Sequence, residues 1–453
     1  MESYSNYSIQ EFVIESSDGI NSIDVTRCVS SIQYYEDLFS PSIFISMLLV
    51  NTDGLLSSLP NKDPNMSPGI KGGERVRLII DQPATKQSIK LDETKNTYYI
   101  YKIYASTTES TREAFIVELC PAEVFTNETS RVIRKYKENI GNTVDKILTD
   151  VLKTSNYDKK NIELTRNKYV FYGNIKRPFT VLTWLCPKSI PAKVPVPSKS
   201  DENKGTAGFL FYQNKNGFNF KSVDSLMSGF ELGTTNKRTI VKYYYAPGVN
   251  QPADVKSNFR ILNIPTFEKN VNIMENLRIG MYSSKNYFFD INARKFNESD
   301  YRLKDSYDLM GHASASNKKP QVPLKLDENP SRIMVRILDN FNADPANDPP
   351  NPPAVTGGTK DETLYYQAQS VARYNLAFSQ KLNITIPLNL NLTVGDVIEL
   401  DFGNITKNNS EQGIKDIEKS GHYLIKELSH LFEKNQGYTG LKLIRDSYGA
   451  PPG

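Results

Sequence analysis

The 453-residue sequence is short of the side chains that carry chemistry. Its three cysteines, Cys28, Cys120 and Cys186, are odd in number and far apart, which excludes a disulfide framework and predicts reduced thiols in a cytosol-made protein. Three histidines, His312, His422 and His430, with no HExxH or CxxC spacing, do not assemble into a metal site, and structural roles are expected for all three. No Gly-x-Ser-x-Gly elbow is present, and Cys186, close to Trp184 on an apolar helix face, reads as core rather than nucleophile. Charge of one sign is not in excess: 55 Lys and Arg face 51 Asp and Glu, so the net charge of +4 gives no case for a dedicated nucleic-acid binder. The local run Arg131, Arg134, Lys135 and Lys137 reads as a wet face. Long hydrophobic runs are missing too. IFISMLLV at 43–50 suits a buried strand and falls far below the ~20 residues of a membrane helix. MESYSNYSIQ at the start lacks the basic and apolar segments of a signal peptide. Neither a cofactor, a metal nor a membrane anchor is expected.

Tyrosine and phenylalanine, 26 and 21 against one tryptophan, are what the chain has in quantity, and they suit strands and interfaces. EFVIES, SIDVTRCV, SIFISMLLV, ERVRLIID, TYYIYKIYAS and AFIVELCPAE lie within residues 7–125, divided by turn formers such as Asp18-Gly19 and Asp53-Gly54. Their spacing predicts a first β-barrel domain over 1–125. Residues 126–230 predict a small α+β domain. Asn142 would cap a helix with Val144, Ile147, Leu148, Val151 and Leu152 on its apolar face; Pro178 would open a second, burying Phe179, Leu182, Leu185 and Cys186; and FLFYQNKNGFNFKS would form a hairpin turning at 214–217. The Pro-rich loop 187–205 interrupts this unit.

Phe267, Val271, Met274 and Leu277 recur at helical spacing, with Gly280 placed for a left-handed C-cap. From Tyr287 the period becomes two, with Tyr287, Phe289 and Ile291 opposite Phe288, Asp290 and Asn292. This helix-to-strand joint opens an inserted α+β region, 265–379. Its segment 311–361 is Pro-rich and expected to be flexible except for SRIMVRILDN, a possible single strand. Leu364, Ala368, Val371, Asn375 and Phe378 predict one further helix.

The closing strands repeat the opening ones. GERVRLI at Gly73 matches GDVIELD at Gly395, with Glu74 on Asp396, Val76 on Ile398 and Leu78 on Leu400. YYIYKIYAS aligns without a gap on HYLIKELSH, placing Tyr99 on Tyr423, Ile100 on Leu424 and Lys102 on Lys426, and the same offset carries VEL at Val117 onto LKL at Leu441. Shared order at a nearly constant offset argues for a duplicated β domain, its second copy built from 231–264 and 380–453. The fold class is therefore α+β, mainly β, with two similar antiparallel barrels and smaller inserted domains. One side of each sheet would stay wet and, in a ring, would line a channel. Three chains with two similar domains each imitate a hexamer, which makes a symmetry adapter.

MENLRIGMYSSKNYFFDINARKF (274–296), LNLNLTVGDVIELDFGN (388–404) and SGHYLIKELSHLF (420–432) carry a resemblance to a known family, the baseplate hub proteins of contractile-tailed phages of the T-even type and their marine relatives. With the element order, it spans most of the chain outside the two Pro-rich regions. The resemblance implies a structural, non-enzymatic virion protein of the tail baseplate, made in the host cytoplasm. It implies two tube-like domains per chain, a homotrimeric pseudo-hexameric ring, a three-fold central spike protein on one side and six-fold tail-tube initiator proteins on the other. Tape-measure protein and DNA would pass through the lumen. The helix-to-strand joint would brace the second barrel. Exposed hairpin tips near Ser110, Thr111, Arg112 and Glu113, and near Lys434, Asn435, Gln436 and Gly437, are the expected partner contacts.

Two other classes remain as alternatives to a structural hub. A cell-wall glycosidase of the lysozyme kind needs two carboxylates about 5–10 Å apart across a cleft. Glu399 with Asp401 share a strand face and Asp361 adjoins Glu362, but no aromatic cleft signature surrounds them. A glycan-binding tail protein is the other, for which aromatic content alone is neutral. Gly69, Gly72 and Gly73 lack the Lys-Ser/Thr of a phosphate loop and lead into a strand, so they predict a tight turn.

Overall fold

The structure, a computed structural model, describes residues 5–447 except 18, 52–68, 93–94, 110–111, 193–205, 229–239, 246–256, 270–271, 291–293, 308–309, 314–324, 339–361, 404–415, 417 and 434–435. Eight strands open the chain: β1 (Ser8–Glu15), β2 (Ser22–Asp24), β3 (Val29–Asp37), β4 (Phe44–Asn51), β5 (Arg75–Gln82), β6 (Gln87–Leu91), β7 (Tyr98–Glu109) and β8 (Arg112–Pro121). Alternation drives them. In β4 the side chains of Ile45, Met47, Leu49 and Asn51 are buried while those between face outward. The sequence reading missed β3 and β6. In β3 the polar Ser, Gln and Glu residues dilute the apolar signal, although Ile32 and Tyr34 are buried at alternate positions.

Next comes α1 (Ala122–Thr129), then β9 (Lys135–Tyr136), α2 (Ile140–Lys146), β10 (Phe171–Tyr172), α3 (Pro178–Leu185), the hairpin β11 (Phe209–Asn214) and β12 (Gly217–Ser222), and α4 (Val223–Met227). These elements enclose their own core of Val132, Ile140, Val144, Leu148, Leu182, Phe209, Phe211, Phe218 and Phe220. Pro178 opens α3 as expected. By contrast α2 starts before Asn142, at Ile140. Gly141 lies so close to the neighbouring backbone that a Cβ there would sit 2.8 Å from the Glu163 carbonyl oxygen, and its N–H donates to Thr165 Oγ1 at 2.9 Å. Of the loop 187–205, residues 193–205 lie outside the described residues.

The second half contains β13 (Val241–Tyr245), β14 (Thr266–Lys269), α5 (Ile273–Ile279), β15 (Ser283–Asp290), β16 (Lys295–Arg302), α6 (Leu303–Ser306), β17 (Arg332–Leu338), α7 (Glu362–Ala377), β18 (Gln380–Pro387), β19 (Val397–Phe402), β20 (Gly421–Glu433) and β21 (Gln436–Arg445). Here the helical reading of Phe267 is corrected. Phe267 lies in β14, opposite Leu382 of β18, and rings of Phe267 and Phe402 meet edge to face. The large sheet thus takes back residues assigned to the insertion at 265–379. Met274 is 60% exposed, so α5 has no buried stripe, but Gly280 is the left-handed C-cap at φ 82°. In β15 the buried side is that of Asn286 and Phe288; β17, within SRIMVRILDN, pairs parallel to it. On α7 the buried line is Ala368, Ala372, Arg373 and Leu376, while Val371 and Asn375 are half-buried, as is Phe378 just beyond the helix.

Among the described residues fourteen strands form one sheet, ordered β14-β18-β21-β20-β3-β4-β8-β7-β5-β1-β2, with β19 on β20, β13 on β19 and β6 on β5. A single apolar cluster runs beneath all of it, from Phe12 and Met47 to Leu428 and Leu443.

Candidate functional site

Inside this sheet one ladder occurs twice. In the first copy β4 pairs β8, β8 pairs β7 and β7 meets β5; in the second β18 pairs β21, β21 pairs β20 and β20 meets β19. Register makes the match residue by residue. Val76 faces Tyr98 as Ile398 faces Tyr423, and Ile100 faces Leu119 as Ile425 faces Leu443. A bulge follows at the same place in each, between Ile100 and Lys102 and between Ile425 and Glu427. The ungapped alignment is therefore corrected by one residue along these strands: Tyr98, not Tyr99, matches Tyr423, and Lys426 occupies the bulge beside Glu427. Both matched tyrosines are fully buried.

The turns that enter the ladder are duplicated as well. Gly73 and Gly395 have φ 92° and 88°, where a side chain is strained. Gly73 N–H donates to the Ile100 carbonyl at 2.7 Å, and Gly395 N–H to that of Ile425 at 3.0 Å. Glu74 turns its carboxylate back onto the N–H groups of Lys71 (2.6 Å) and Gly72 (2.8 Å); Asp396 does the same to Thr393 at 3.0 Å. The glycine-rich stretch cradles an anion, but that anion is the chain's own carboxylate.

Between the copies lies a joint. The first part of β20 pairs with β19, and from Glu427 to Glu433 the same strand pairs antiparallel with β3, placing Glu427 opposite Asp37, Ser429 opposite Tyr35 and Leu431 opposite Gln33. On the outer face Tyr35 Oη donates to Glu427 Oε2 at 2.7 Å, Gln33 Nε2 to Ser429 Oγ at 3.2 Å, and Lys426 stands 3.7 Å from Asp37. Burial raises the Glu427 pKa, but hydrogen bonds from Lys426, Lys442 and Tyr35 outweigh it and hold the carboxyl down at about 2. On the inner face Glu36 is fully buried, where it accepts from Tyr34 Oη (2.8 Å), Lys215 N (2.7 Å) and Val394 N (2.9 Å). Desolvation prevails over these bonds and pushes its pKa up to about 7. Glu36 thus ties β3 to the β11–β12 turn and to the turn before β19.

A second buried network anchors α7. Arg373 Nε lies 2.9 Å from Asp224 and its Nη1 2.8 Å from Asp446, which also contacts His312 at 3.0 Å and accepts from Ala313 N at 3.0 Å. Burial opposes the Asp446 charge, but His312 and Arg373 keep its pKa far below the usual carboxylate range. His430 is buried, bonded to Thr439 Oγ1 at 2.9 Å and lowered to about 3 by desolvation and by the charge of Lys215. Cys186 is buried, and desolvation raises its thiol to about 12. Arg373, Asp446, His430 and Cys186 are all buried. A shallow groove of about 160 Å³ on the outer face, lined by Tyr35, Phe44, Tyr101 and Glu118, is below the few hundred cubic ångströms usual for a ligand site.

Glu399 and Asp401 share a face but both pair with Lys242, at 3.4 and 3.1 Å, across β13 and β19; Asp361 lies outside the described residues. Of the expected contact residues, Ser110, Thr111, Lys434 and Asn435 also lie outside them. Arg112 starts β8 and is exposed, Glu113 opposes Asn51 and Gln436 bridges Asn6. Gly437 is buried in the strand, where a Cβ would meet Leu388 Cδ2 at 2.7 Å. Sequence reading did not single out Glu36, Glu427 or Arg373. Only for Glu427 was a signal available: with the bulge in place, Lys102 and Glu118 align with Glu427 and Lys442, an ion pair of reversed sign.

No family model matches the chain. It is similar to a protein described as a probable baseplate hub protein of Vibrio phage KVP40, with 22% identity over 314 residues, or 67% of this chain and 66% of that one. The match thus spans just under two thirds of the relative's length. Among solved structures, the fold is shared with the tail protein from Neisseria meningitidis MC58 (TM-score 0.51, 10% identity, covering 99% of this chain and 100% of that one). It is shared equally with the 43 kDa tail protein of prophage MuSo2 from Shewanella oneidensis (TM-score 0.50, 9% identity, 96% and 99% covered).

Proposed function

We propose that the chain is a structural baseplate hub of a phage tail, located in the virion, which as a homotrimer forms a pseudo-hexameric ring between a three-fold central spike and the six-fold tail tube. The duplicated ladder carries this reading. It gives each chain two nearly equivalent sheets joined edge to edge, and three such chains supply the six repeats that a six-fold tube can dock on. Similarity to a probable phage baseplate hub protein, and a fold shared with two tail proteins, support the same assignment.

The mechanism is shape and symmetry matching over interfaces large enough for permanent assembly, usually more than ~2,000 Å². No chemical step is part of this reading: the carboxylates nearest to a glycosidase pair share one ion-pair partner, Lys242, and the buried Glu36 and Asp446 hold parts of the scaffold together. The outer, polar side of the sheet would face the lumen, through which tape-measure protein and DNA would pass. The segments 110–113 and 434–436 would meet spike and tube-initiator proteins.

Light scattering together with negative-stain averaging tests the proposal. The expected result is a particle three times the 51.3 kDa of one chain, with a ring whose projection has six similar lobes. A protein that stays monomeric at every concentration, alone and with tube or spike partners, would overturn it.

A further inference from the structure

The joint between the two copies has one use inside the chain, and the repeat supplies the parts for a second. After its bulge β20 pairs with β3. Its counterpart, β7 from Lys102 onward, pairs with β8 on one side and, among the described residues, with nothing on the other. The counterpart of β3 is β14. β3 pairs β4 with Tyr34 opposite Ile45, β14 pairs β18 with Phe267 opposite Leu382, and Ile45 and Leu382 face the matched residues Leu119 and Leu443. β14 ends the sheet, its outer edge also unpaired among the described residues. Two open, complementary edges thus stand at opposite ends of one repeated ladder.

We infer that β7 of one copy pairs antiparallel with β14 of a second copy of this chain, in the register of the β20–β3 joint from Lys102 to Tyr104, after which β7 has a second bulge that β20 lacks. Transferring that register places Tyr104 opposite Glu268, as Ser429 is opposite Tyr35. Diagonal to Glu268 lies Lys102, the counterpart of Glu427, as Glu427 is diagonal to Tyr35. The charges fit. Within the chain the Tyr35 hydroxyl donates to Glu427, which Lys442 flanks at 2.8 Å; across the new joint Glu268 would meet Lys102, which Glu118 flanks at 3.5 Å. Among the described residues Glu268 has a distant ion pair with Lys381 at 4.0 Å, and it is exposed, as is Lys102. Apolar surface waits at both edges: Tyr101 and Tyr104 are 40% and 39% exposed, and Leu262 and Ile264 beside β14 are 48% and 81% exposed. Such edges are covered in a soluble assembly. The contact is heterologous, so it continues head to tail until the rotation closes. The number of copies rests on the trimer proposed above; the joint itself does not.

Two cysteine substitutions on a single chain, Tyr104→Cys and Glu268→Cys, test the register, the three native cysteines being buried. Mild oxidation is expected to give covalent dimers and closed trimers on a denaturing gel, whereas Tyr104→Cys with the remote Tyr172→Cys gives none. Lys102→Glu and Glu268→Lys are each expected to weaken association at least tenfold by sedimentation, and the combination to restore most of it; circular dichroism of these surface variants shows that they fold. If wild-type trimers form but no Tyr104–Glu268 crosslink appears, the joint is overturned and the trimer stands. If no oligomer forms, both fall.

Discussion

At the scale of single residues, the decisive groups are charges where none would be expected. Glu36 alternates correctly with Ile32 and Tyr34 to point inward, and is kept there by two backbone N–H groups from residues about 180 and 360 positions away. Its raised pKa has a consequence for stability. Between the unperturbed 4.5 and about 7 the folded carboxyl holds a proton that the unfolded chain has lost, so stability falls as pH rises through this window. Glu163, buried and raised to about 7, acts in the same sense, and His430, lowered to about 3, in the opposite one. Glu36→Gln removes one of these contributions and leaves the others. Relative to wild type, the variant should gain on the order of 3 kcal/mol between pH 4.5 and 7.5, read from urea unfolding midpoints at several pH values. An unchanged difference across that range would mean that Glu36 is ionised in the fold throughout. Neither this carboxyl nor Arg373 was legible in the sequence, because a strand or helix pattern shows that a charge is inward but not who meets it.

At the scale of elements, spacing decided well where one period dominates and poorly where two coexist. Pro178, the hairpin at 209–222 and the strands around Ile45 and Val117 lie where their patterns put them. Phe267, Val271, Met274 and Leu277 fit a helix numerically, yet Phe267 joins a short edge strand because β18 offers it a hydrogen-bonding partner 115 residues later at Leu382. The repeated turns offer a sharper test. An alanine at φ near 90° costs roughly 1–3 kcal/mol in backbone strain at either glycine. At Gly73 a Cβ would meet nothing within 4 Å, whereas at Gly395 it would stand 2.6 Å from Tyr212 Oη. Gly395→Ala should therefore lower the melting temperature clearly more than Gly73→Ala in paired thermal melts, and equal losses would show that the two turns are packed alike.

At the scale of the whole molecule, the two β units share one sheet and one apolar cluster, while the β9–β12 region encloses another. Leu428, fully buried on the joint strand, belongs to both β units at once. Leu428→Ala should cost about 2–5 kcal/mol. Hydrogen exchange should then rise together in β4 and in β21, and protection in β11 and β12 should fall less; loss confined to one unit would show that the units unfold separately. What the sequence determined alone was the class and the duplication, since alternation, turn glycines and a repeated order are written locally and need no partner. Only the tertiary structure decided where the copies correspond, because the bulge that shifts Tyr98 onto Tyr423 is a property of paired strands. It alone decided, too, that the sheets run on through β20 and β3 and leave two matching edges unpaired among the described residues: hydrogen bonds between strands 390 residues apart leave no periodic trace in the chain.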